Sequence, residues 1–373
     1  MANLTLLPSV IVEEILALLP SKIIHRFRQV SKSWSSFLVS LEFQKLRTKS
    51  TPPDPNFQKI LQCVAVDGGY VIESLGYLCD GKNRARLSFP TVKYVRLLGS
   101  CNGLVCLAVR HNQSAVDQIV VWNPFTGIYR KLQDICIKNR KRKLQDIDDR
   151  RICAYGFGYD SAADDYKVFI ATKPAPEGVK VEVFSLRIGF WKEVETADPG
   201  KDVEHIPEGH EVGLFVKGAL HWHVLIGGKT KIIAFDLAKE KFYDVPVLEV
   251  RSDHKFRYKG LGVVGEYICR YLVSKADKKR FYVLLMEEYC NRGSWVPFLV
   301  YSSLGIGNLY SYRDFIPQAA PKDGGCMVLG FSEELQHILE IKMVDNEEMI
   351  QLSEYQMAMP YIEALTSSSL SFS

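Results

Sequence analysis

Hydrophobic and polar positions follow two different rhythms along the chain, and the change falls near residue 50. Apolar side chains in residues 8–41 recur every three or four positions, in short groups separated by proline or serine. Beyond residue 56, short runs rich in β-formers alternate with turns rich in glycine, asparagine and aspartate. The pattern therefore predicts a small all-α module of three short helices, followed by a large all-β domain.

The first predicted helix carries more apolar surface than a small module can cover. Pro8 suits its first turn, and Pro20 stops it. Its two adjacent apolar stripes are Ile11, Ile15 and Leu18, and Val12, Leu16 and Leu19. Ser21 is a candidate cap for the second helix, and Ser31 or Ser33 for the third. Periodicity leaves two readings open for the surplus face, which either docks a partner or packs on the large domain.

A repeat runs through the β-rich part of the chain. Each copy is a strand, a polar turn and an aromatic or large apolar residue that opens a return strand. The copies span residues 120–129, 182–191, 233–242 and 282–295, with a weaker one at 339–349. Glycine-punctuated strand pairs precede several of them, at 99–109, 213–224 and 260–273. Four-stranded units at this spacing are typical of kelch-like propeller blades. With residues 57–96 and the C-terminal strand as a further unit, we expect about six blades.

Composition excludes several classes of protein. A net charge of +4 over 373 residues is too mild to indicate nucleic-acid binding. The sequence has no run of eighteen apolar residues, so we expect no membrane span. The opening segment lacks the basic region and small-residue cleavage site of a signal peptide. Nine scattered cysteines predict reduced, mostly buried thiols in a cytoplasmic or nuclear protein. Cys101 and Cys106 have no second pair at zinc-ligand spacing, so we expect no metal and no cofactor.

Candidate catalytic groups have simpler structural readings. Residues 123–127 and the Asp164–Asp165 pair carry turn chemistry, with Asp160 a candidate cap of the second loop. His221 and His223 share one face of a predicted strand, but no carboxylate or cysteine completes a ligand set. The basic run at 138–143 is interpreted as a solvated loop, and a nuclear-import signal or an acidic-partner contact stays open. A propeller enzyme would require acids or metal ligands that converge on one face, and the sequence shows no such set.

The helical module resembles an F-box. The matching residues are Leu7, Pro8, Ile11, Ile15, Leu16, Leu19, Pro20, Lys22, Arg26, Phe27, Arg28, Val30, Ser31, Lys32, Trp34, Leu38 and Phe43. F-box proteins are substrate receptors of SCF-type cullin–RING ubiquitin ligases, and their F-box docks on a Skp-type adaptor. The resemblance implies that the surplus face is this docking surface. It assigns adaptor binding to Leu7, Pro8, Ile11, Ile15, Leu16, Leu19 and Pro20, with Phe27, Val30 and Trp34 at positions of mixed core and interface duty.

The β-rich part resembles the F-box-associated domain of a large plant F-box family. The similar segments are residues 99–105, 122–127, 155–160, 164–168, 218–222 and 361–365. The resemblance implies a non-catalytic plant substrate receptor with an F-box at 1–50, a proline-rich linker at 51–56, a propeller at 57–365 and a polar tail at 366–373. Its target protein is unknown. The alternative is a ligand- or glycan-binding propeller that acts outside any ligase.

Overall fold

The structure is a computed structural model. It describes residues 8–19, 21–27, 30–38, 40, 43, 46, 58–76, 86–112, 117–124, 126–133, 150–174, 179–194, 211–226, 229–248, 256–264, 267–274, 280–302, 314–317, 327–332, 337–344, 347–354 and 357–362.

Short helices form the described part of the N-terminal module. They are α1 (Ser9–Ala17), α2 (Ser21–Phe27) and α3 (Lys32–Leu38). The core of the module consists of Leu16, Ala17, Ile24, Leu38 and Phe43. The switch from helical to alternating spacing near residue 50 therefore marks a real change in structure.

Strands make up most of the remaining described residues. The first sheet holds β1 (Gln58–Val66), β2 (Gly69–Gly76) and β3 (Arg86–Pro90), with β24 (Met357–Ile362) beside β1. The second holds β4 (Val92–Cys101), β5 (Leu104–His111), β6 (Gln118–Trp122) and β7 (Tyr129–Lys131). A longer sheet holds β8 (Arg150–Asp160), β9 (Asp165–Pro174), β10 (Lys180–Ser185), β11 (Trp191–Val194), β12 (Glu211–Val216), β13 (Ala219–Ile226), β14 (Lys229–Asp236) and β15 (Lys241–Val245). Two further sheets hold β16 (Phe256–Val264), β17 (Tyr267–Ser274), β18 (Arg280–Met286) and β19 (Trp295–Ser302), and β20 (Asp314–Pro317), β21 (Met327–Ser332), β22 (His337–Val344) and β23 (Glu347–Glu354).

The repeat read from the sequence corresponds to antiparallel hairpins formed by the last two strands of five sets of four strands. The predicted copies are β6–β7, β10–β11, β14–β15, β18–β19 and β22–β23. The glycine-punctuated pairs are β4–β5, β12–β13 and β16–β17. The eight-stranded sheet consists of two four-stranded sets, β8–β11 and β12–β15. A short parallel pairing joins them, in which Glu211 to Gly213 lie opposite Ala154 to Gly156. Sequence reasoning did not predict this parallel junction.

The C-terminal strand completes the first sheet, as expected. β24 pairs antiparallel with β1, and Gln58 lies opposite Ile362. The expected extent of this unit, residues 57–96, was too long, because β4 begins at Val92 and belongs to the second sheet. Thr91, in a left-handed conformation with φ 57°, makes the turn between the two sheets.

The proline-rich segment 51–56, the basic run 138–143 and the polar tail 366–373 lie outside the described residues, so their assignments stay predictions. Within the described part, no helix has both the length and the apolar character needed to cross a membrane. Cys63, Cys101, Cys106 and Cys269 are buried free thiols. Burial raises the pKa of Cys63 to about 12, so this thiol is unreactive at neutral pH.

Candidate partner-docking site

Helix α1 begins at Ser9, one residue after the proline that was expected in its first turn. Pro8 occupies the N-cap, and its carbonyl oxygen accepts hydrogen bonds from the backbone N–H groups of Ile11 at 3.0 Å and Val12 at 3.3 Å. At the other end, the N–H of Leu18 reaches the carbonyl of Glu14 at 3.3 Å. These bonds fix the direction in which each side chain of residues 9–18 leaves the helix.

The two apolar stripes of α1 have opposite environments. Leu16 is 5% exposed, and Val12 and Leu19 pack partly buried against the module core. Ile11, Ile15 and Leu18 are between 41% and 58% exposed, and Val10 beside them is 61% exposed. One stripe therefore builds the module, while the other leaves a contiguous apolar face uncovered. We call Val10, Ile11, Ile15 and Leu18 the α1 face.

Helices α2 and α3 contribute Ile24 and Leu38 to the core that buries Leu16 of α1. The hydroxyl of Ser31 accepts a hydrogen bond from the N–H of Trp34 at 3.1 Å, so Ser31 rather than Ser33 caps α3. The rings of Phe27 and Trp34 meet edge to face, with centroids 5.5 Å apart. Both rings are partly buried against the core, and their interface duty stays a prediction.

The structure separates the sequence-predicted site residues into groups. Pro8, Ile11, Ile15 and Val30 are exposed; Leu19, Phe27 and Trp34 are partly buried; Leu16 is core in the free chain; and Leu7 and Pro20 lie outside the described residues. Val10 and Leu18 are exposed members of the same face that the predicted site omitted. The helical spacing of Leu18, seven positions after Ile11, is the signal that identifies it.

The histidine pair on β13 does not form a metal site. Nε2 of His221 lies 2.6 Å from the hydroxyl of Tyr289, and Nδ1 lies 3.1 Å from the carbonyl oxygen of Leu214. Burial lowers the pKa of His221 to about 4, which keeps the imidazole neutral. In the described part of the chain, no three histidine, cysteine or acidic side chains cluster closely enough to hold a metal ion.

The β8–β9 connection is a turn, as the sequence predicted: Asp164 has a φ of 52°, and Asp165 begins β9. Asp160 accepts hydrogen bonds from the N–H groups of Ala162 at 3.0 Å and Ala163 at 3.2 Å. Asp165 is buried and accepts bonds from the hydroxyl of Ser185 and from the N–H of Arg187 at 2.8 Å. The carboxylates of Asp160 and Asp165 accept hydrogen bonds from backbone and side-chain donors of the turns, so they do not form a converging catalytic pair.

A buried carboxylate that sequence reasoning missed joins the second and third strand sets. Asp117 accepts hydrogen bonds from Tyr94 at 2.7 Å, Arg110 at 2.6 Å and Tyr155 at 2.9 Å. Burial would raise the pKa of Asp117, but the bonds from Arg110 and Tyr94 outweigh it and hold the pKa below its usual range. No local motif announces this group, because Tyr155 lies 38 residues away along the chain.

A helical module with an uncovered apolar face is followed by a β domain whose strands fall into antiparallel sets of four, an arrangement typical of a propeller. Two comparisons identify the parts. Residues 4–46 match the F-box domain, and residues 78–360 match the F-box associated beta propeller domain. The chain belongs to the F-box associated propeller family, and both resemblances read from the sequence are confirmed.

Known relatives are plant F-box proteins. An F-box/kelch-repeat protein of Arabidopsis thaliana is 28% identical over 258 residues, covering 64% of this chain and 65% of the relative. A putative F-box protein of the same plant is 28% identical over 239 residues, covering 63% of this chain and 49% of its own length. The F-box protein CPR1, also from Arabidopsis thaliana, is 27% identical over 318 residues, covering 78% and 71%. The chain thus spans between about half and two thirds of the first two relatives.

Among solved structures, TolB from Acinetobacter baumannii superposes with a TM-score of 0.51 at 12% identity, covering 87% of this chain and 73% of TolB. At this identity the likeness concerns the fold alone.

Proposed function

We propose that this chain is a substrate-recognition subunit of an SCF-type ubiquitin ligase. Its F-box binds a Skp-type adaptor and through it a cullin–RING ligase, and its propeller binds a target protein for ubiquitination. The observation that carries the proposal is the α1 face, where three apolar side chains at helical spacing are each at least 41% exposed within a module that matches the F-box. Exposed apolar surface of this extent in a small module is typical of a protein interface.

The role needs no chemistry from this chain. Holding a target's lysines beside a ubiquitin-loaded enzyme raises their effective concentration, and that gain comes from geometry alone. We therefore propose a non-catalytic receptor without cofactor, which binds neither nucleic acid nor membrane and acts in the cytoplasm, the nucleus or both.

The proposal includes a finer account of the fold. We infer that the three helices are those of the F-box and that the β strands form a ring of six four-stranded blades. The antiparallel sets β4–β7, β8–β11, β12–β15, β16–β19 and β20–β23 support five blades, and β1–β3 with β24 supports the sixth. Closure by strands from both ends of the domain ties its termini together.

The docking set follows from exposure. We assign direct adaptor contact to Pro8, Ile11, Ile15 and Val30, and we add Val10 and Leu18. An interface role for Leu7 and Pro20 stays a prediction from the motif. Leu16, Leu19, Phe27 and Trp34 then act mainly by shaping the module, because they contact its core.

Binding of the purified full chain to a plant Skp-type adaptor tests the proposal. We expect tight binding by the wild type, and a loss of at least tenfold for the double variant Ile11→Asp/Ile15→Asp, because two carboxylates would lose their hydration at the interface. Tyr267→Asp is the matched control, since Tyr267 is an exposed apolar side chain at the start of β17.

Two results would overturn the proposal. One is absence of adaptor binding by a wild-type chain that melts cooperatively, and the other is equal binding by the double variant. Either result would favour the alternative of a ligand- or glycan-binding propeller that works outside a ligase.

A further inference from the structure

Four exposed apolar side chains cluster on two neighbouring turns of the β domain. Ile128 and Tyr129 follow the turn between β6 and β7, and Ile188 and Phe190 belong to the turn between β10 and β11. Their exposed fractions lie between 44% and 63%. We call these four residues the turn patch. Other exposed large apolar side chains described in this domain, such as Val66 and Tyr267, lie on other strand sets.

Direct contacts hold the two turns together. Nη1 of Arg130 donates to the carbonyl oxygen of Leu186 at 2.9 Å. Nε1 of Trp191 donates in the opposite direction, to the carbonyl oxygen of Gln133 at 2.8 Å. The second turn is also tied to the β8–β9 connection, because Asp165 accepts from the N–H of Arg187 at 2.8 Å. The patch is therefore presented on a fixed surface, which lowers the entropy cost of binding.

The turn geometry does not require an apolar residue at the position that follows the turn bond, which Ile128 and Phe190 occupy. In the first turn, the carbonyl of Asn123 accepts from the N–H of Gly127 at 2.9 Å, and Ile128 follows. In the second, the carbonyl of Ser185 accepts from Gly189 at 2.8 Å, and Phe190 follows. The equivalent turn between β14 and β15 makes the same bond, from Glu240 to Asp236 at 2.8 Å.

Lys241 follows this third turn at the position of Ile128 and Phe190, and it is exposed. The same backbone geometry thus accepts a solvated cation. Folding alone does not account for an isoleucine and a phenylalanine at the two equivalent sites, and an uncovered aliphatic–aromatic cluster is typical of a contact surface.

Cations border the turn patch. Lys131 is exposed at the end of β7. Arg187 is exposed, and its Nη1 donates to the carbonyl oxygen of Ala163 at 2.8 Å. The described surface therefore offers apolar area bordered by the exposed cationic side chains of Lys131 and Arg187, and its complement is a segment that carries acidic and bulky apolar side chains together.

We propose that the turn patch binds an acidic, aromatic- or leucine-containing peptide segment of a partner protein. The proposal deepens the function above, because it places the contact with a target on the tight turns between paired strands. The strand pairing puts these turns at the end of each set opposite the connections from one set to the next.

A displayed library of random twelve-residue peptides, selected against the immobilised full chain without adaptor, tests this inference. The absence of adaptor makes the result independent of ligase assembly, so failure here and failure of adaptor binding are distinguishable. We expect the selected peptides to be enriched in Asp and Glu together with Phe, Trp, Leu or Ile.

Synthetic copies of the selected peptides are then titrated by fluorescence anisotropy. We expect at least a tenfold loss of affinity for Ile188→Ser/Phe190→Ser. We expect a severalfold loss, with weaker salt dependence, for Lys131→Gln/Arg187→Gln. Lys241→Ser, at the equivalent position of the third turn, is the matched control and should bind as the wild type does.

The proposal is overturned if no peptide is selected, if the peptides lack acidic residues, or if the patch variant binds them as well as the wild type. It is also overturned if the wild-type chain dimerises and Ile188→Ser/Phe190→Ser is monomeric by light scattering. In that case a second copy of this chain is the occupant of the patch.

Discussion

Replacing Lys167 by methionine should destabilise the β domain far more than removal of an ordinary surface lysine. Lys167 lies on β9, and its Nζ donates to the carbonyl oxygen of Leu237 at 2.6 Å. The same ammonium lies 3.0 Å from a carboxylate oxygen of Asp160 and 3.2 Å from one of Glu240. Burial would lower the pKa of Lys167, but the two carboxylates outweigh it and raise the pKa, so the lysine is charged at neutral pH.

The size of the stability loss depends on the partners that Asp160 and Glu240 retain after Lys167 is removed. Removing one partner of a buried ion pair costs roughly 3–5 kcal/mol. Asp160, with a side chain only 3% exposed, keeps two backbone N–H donors, and Glu240 keeps Lys192 at 2.7 Å. We therefore expect a loss near the lower limit, about 3 kcal/mol in the free energy of unfolding.

Urea unfolding followed by tryptophan fluorescence measures this loss at pH 7 and pH 3.5. The pKa of Asp160 and that of Glu240 are lowered in the folded protein, so their ion-pair contribution is present above the ordinary carboxyl pKa and is lost as pH falls below it. The difference between wild type and Lys167→Met should therefore shrink at pH 3.5. Lys192→Met is the control, because its side chain is 63% exposed and an exposed pair contributes less than about 1 kcal/mol. Equal destabilisation by the two variants would refute the reasoning.

Three further predictions concern other elements. Wild-type unfolding free energy should decline as pH falls from about 6.5 towards about 4, because His221 must stay neutral when folded; His221→Gln should weaken this decline in acid-titration melts. Gly213→Ala should cost roughly 1–3 kcal/mol by urea unfolding, since a Cβ would lie 2.5 Å from the buried ring of Trp222; unchanged stability would contradict this packing. Leu16→Ala should cost about 2–5 kcal/mol in the module, whereas Leu18→Ala should leave melting unchanged and weaken adaptor binding; the opposite ranking in melts and binding would refute the assignment of the two faces.

Turn chemistry made the repeat of the β domain readable from sequence. The carboxamide of Asn123 accepts from the N–H of Thr126 at 3.1 Å, and Gly127 supplies a φ of 75°. Such bonds join residues three or four positions apart, so residue types reveal them. The same holds for Asp160, whose carboxylate accepts from the N–H groups of Ala162 and Ala163, two and three positions further on.

Long-range partners could not be predicted in this way. Lys167 lies within a family-like segment, yet nothing local indicates that it reaches Glu240, 73 residues further on. Periodicity also gave two stripes on α1 without indicating which one faces the core. That choice depends on where α2 and α3 pack, and it decides whether Leu16 or Leu18 is available to a partner.

The buried polar groups of the β domain have a shared structural explanation. Asp117, just before β6, binds Tyr155 on β8. Lys167 on β9 binds Glu240 at the β14–β15 turn, and His221 on β13 binds Tyr289 just after β18. Each group spans two neighbouring strand sets, and each has its shifted pKa accounted for by burial together with protein partners. Perturbed titration often marks catalysis, but for these three groups burial and structural partners account for the shift, and their contacts join one set to the next. The proposed receptor role requires this rigidity, because effective concentration falls when the binding surface moves.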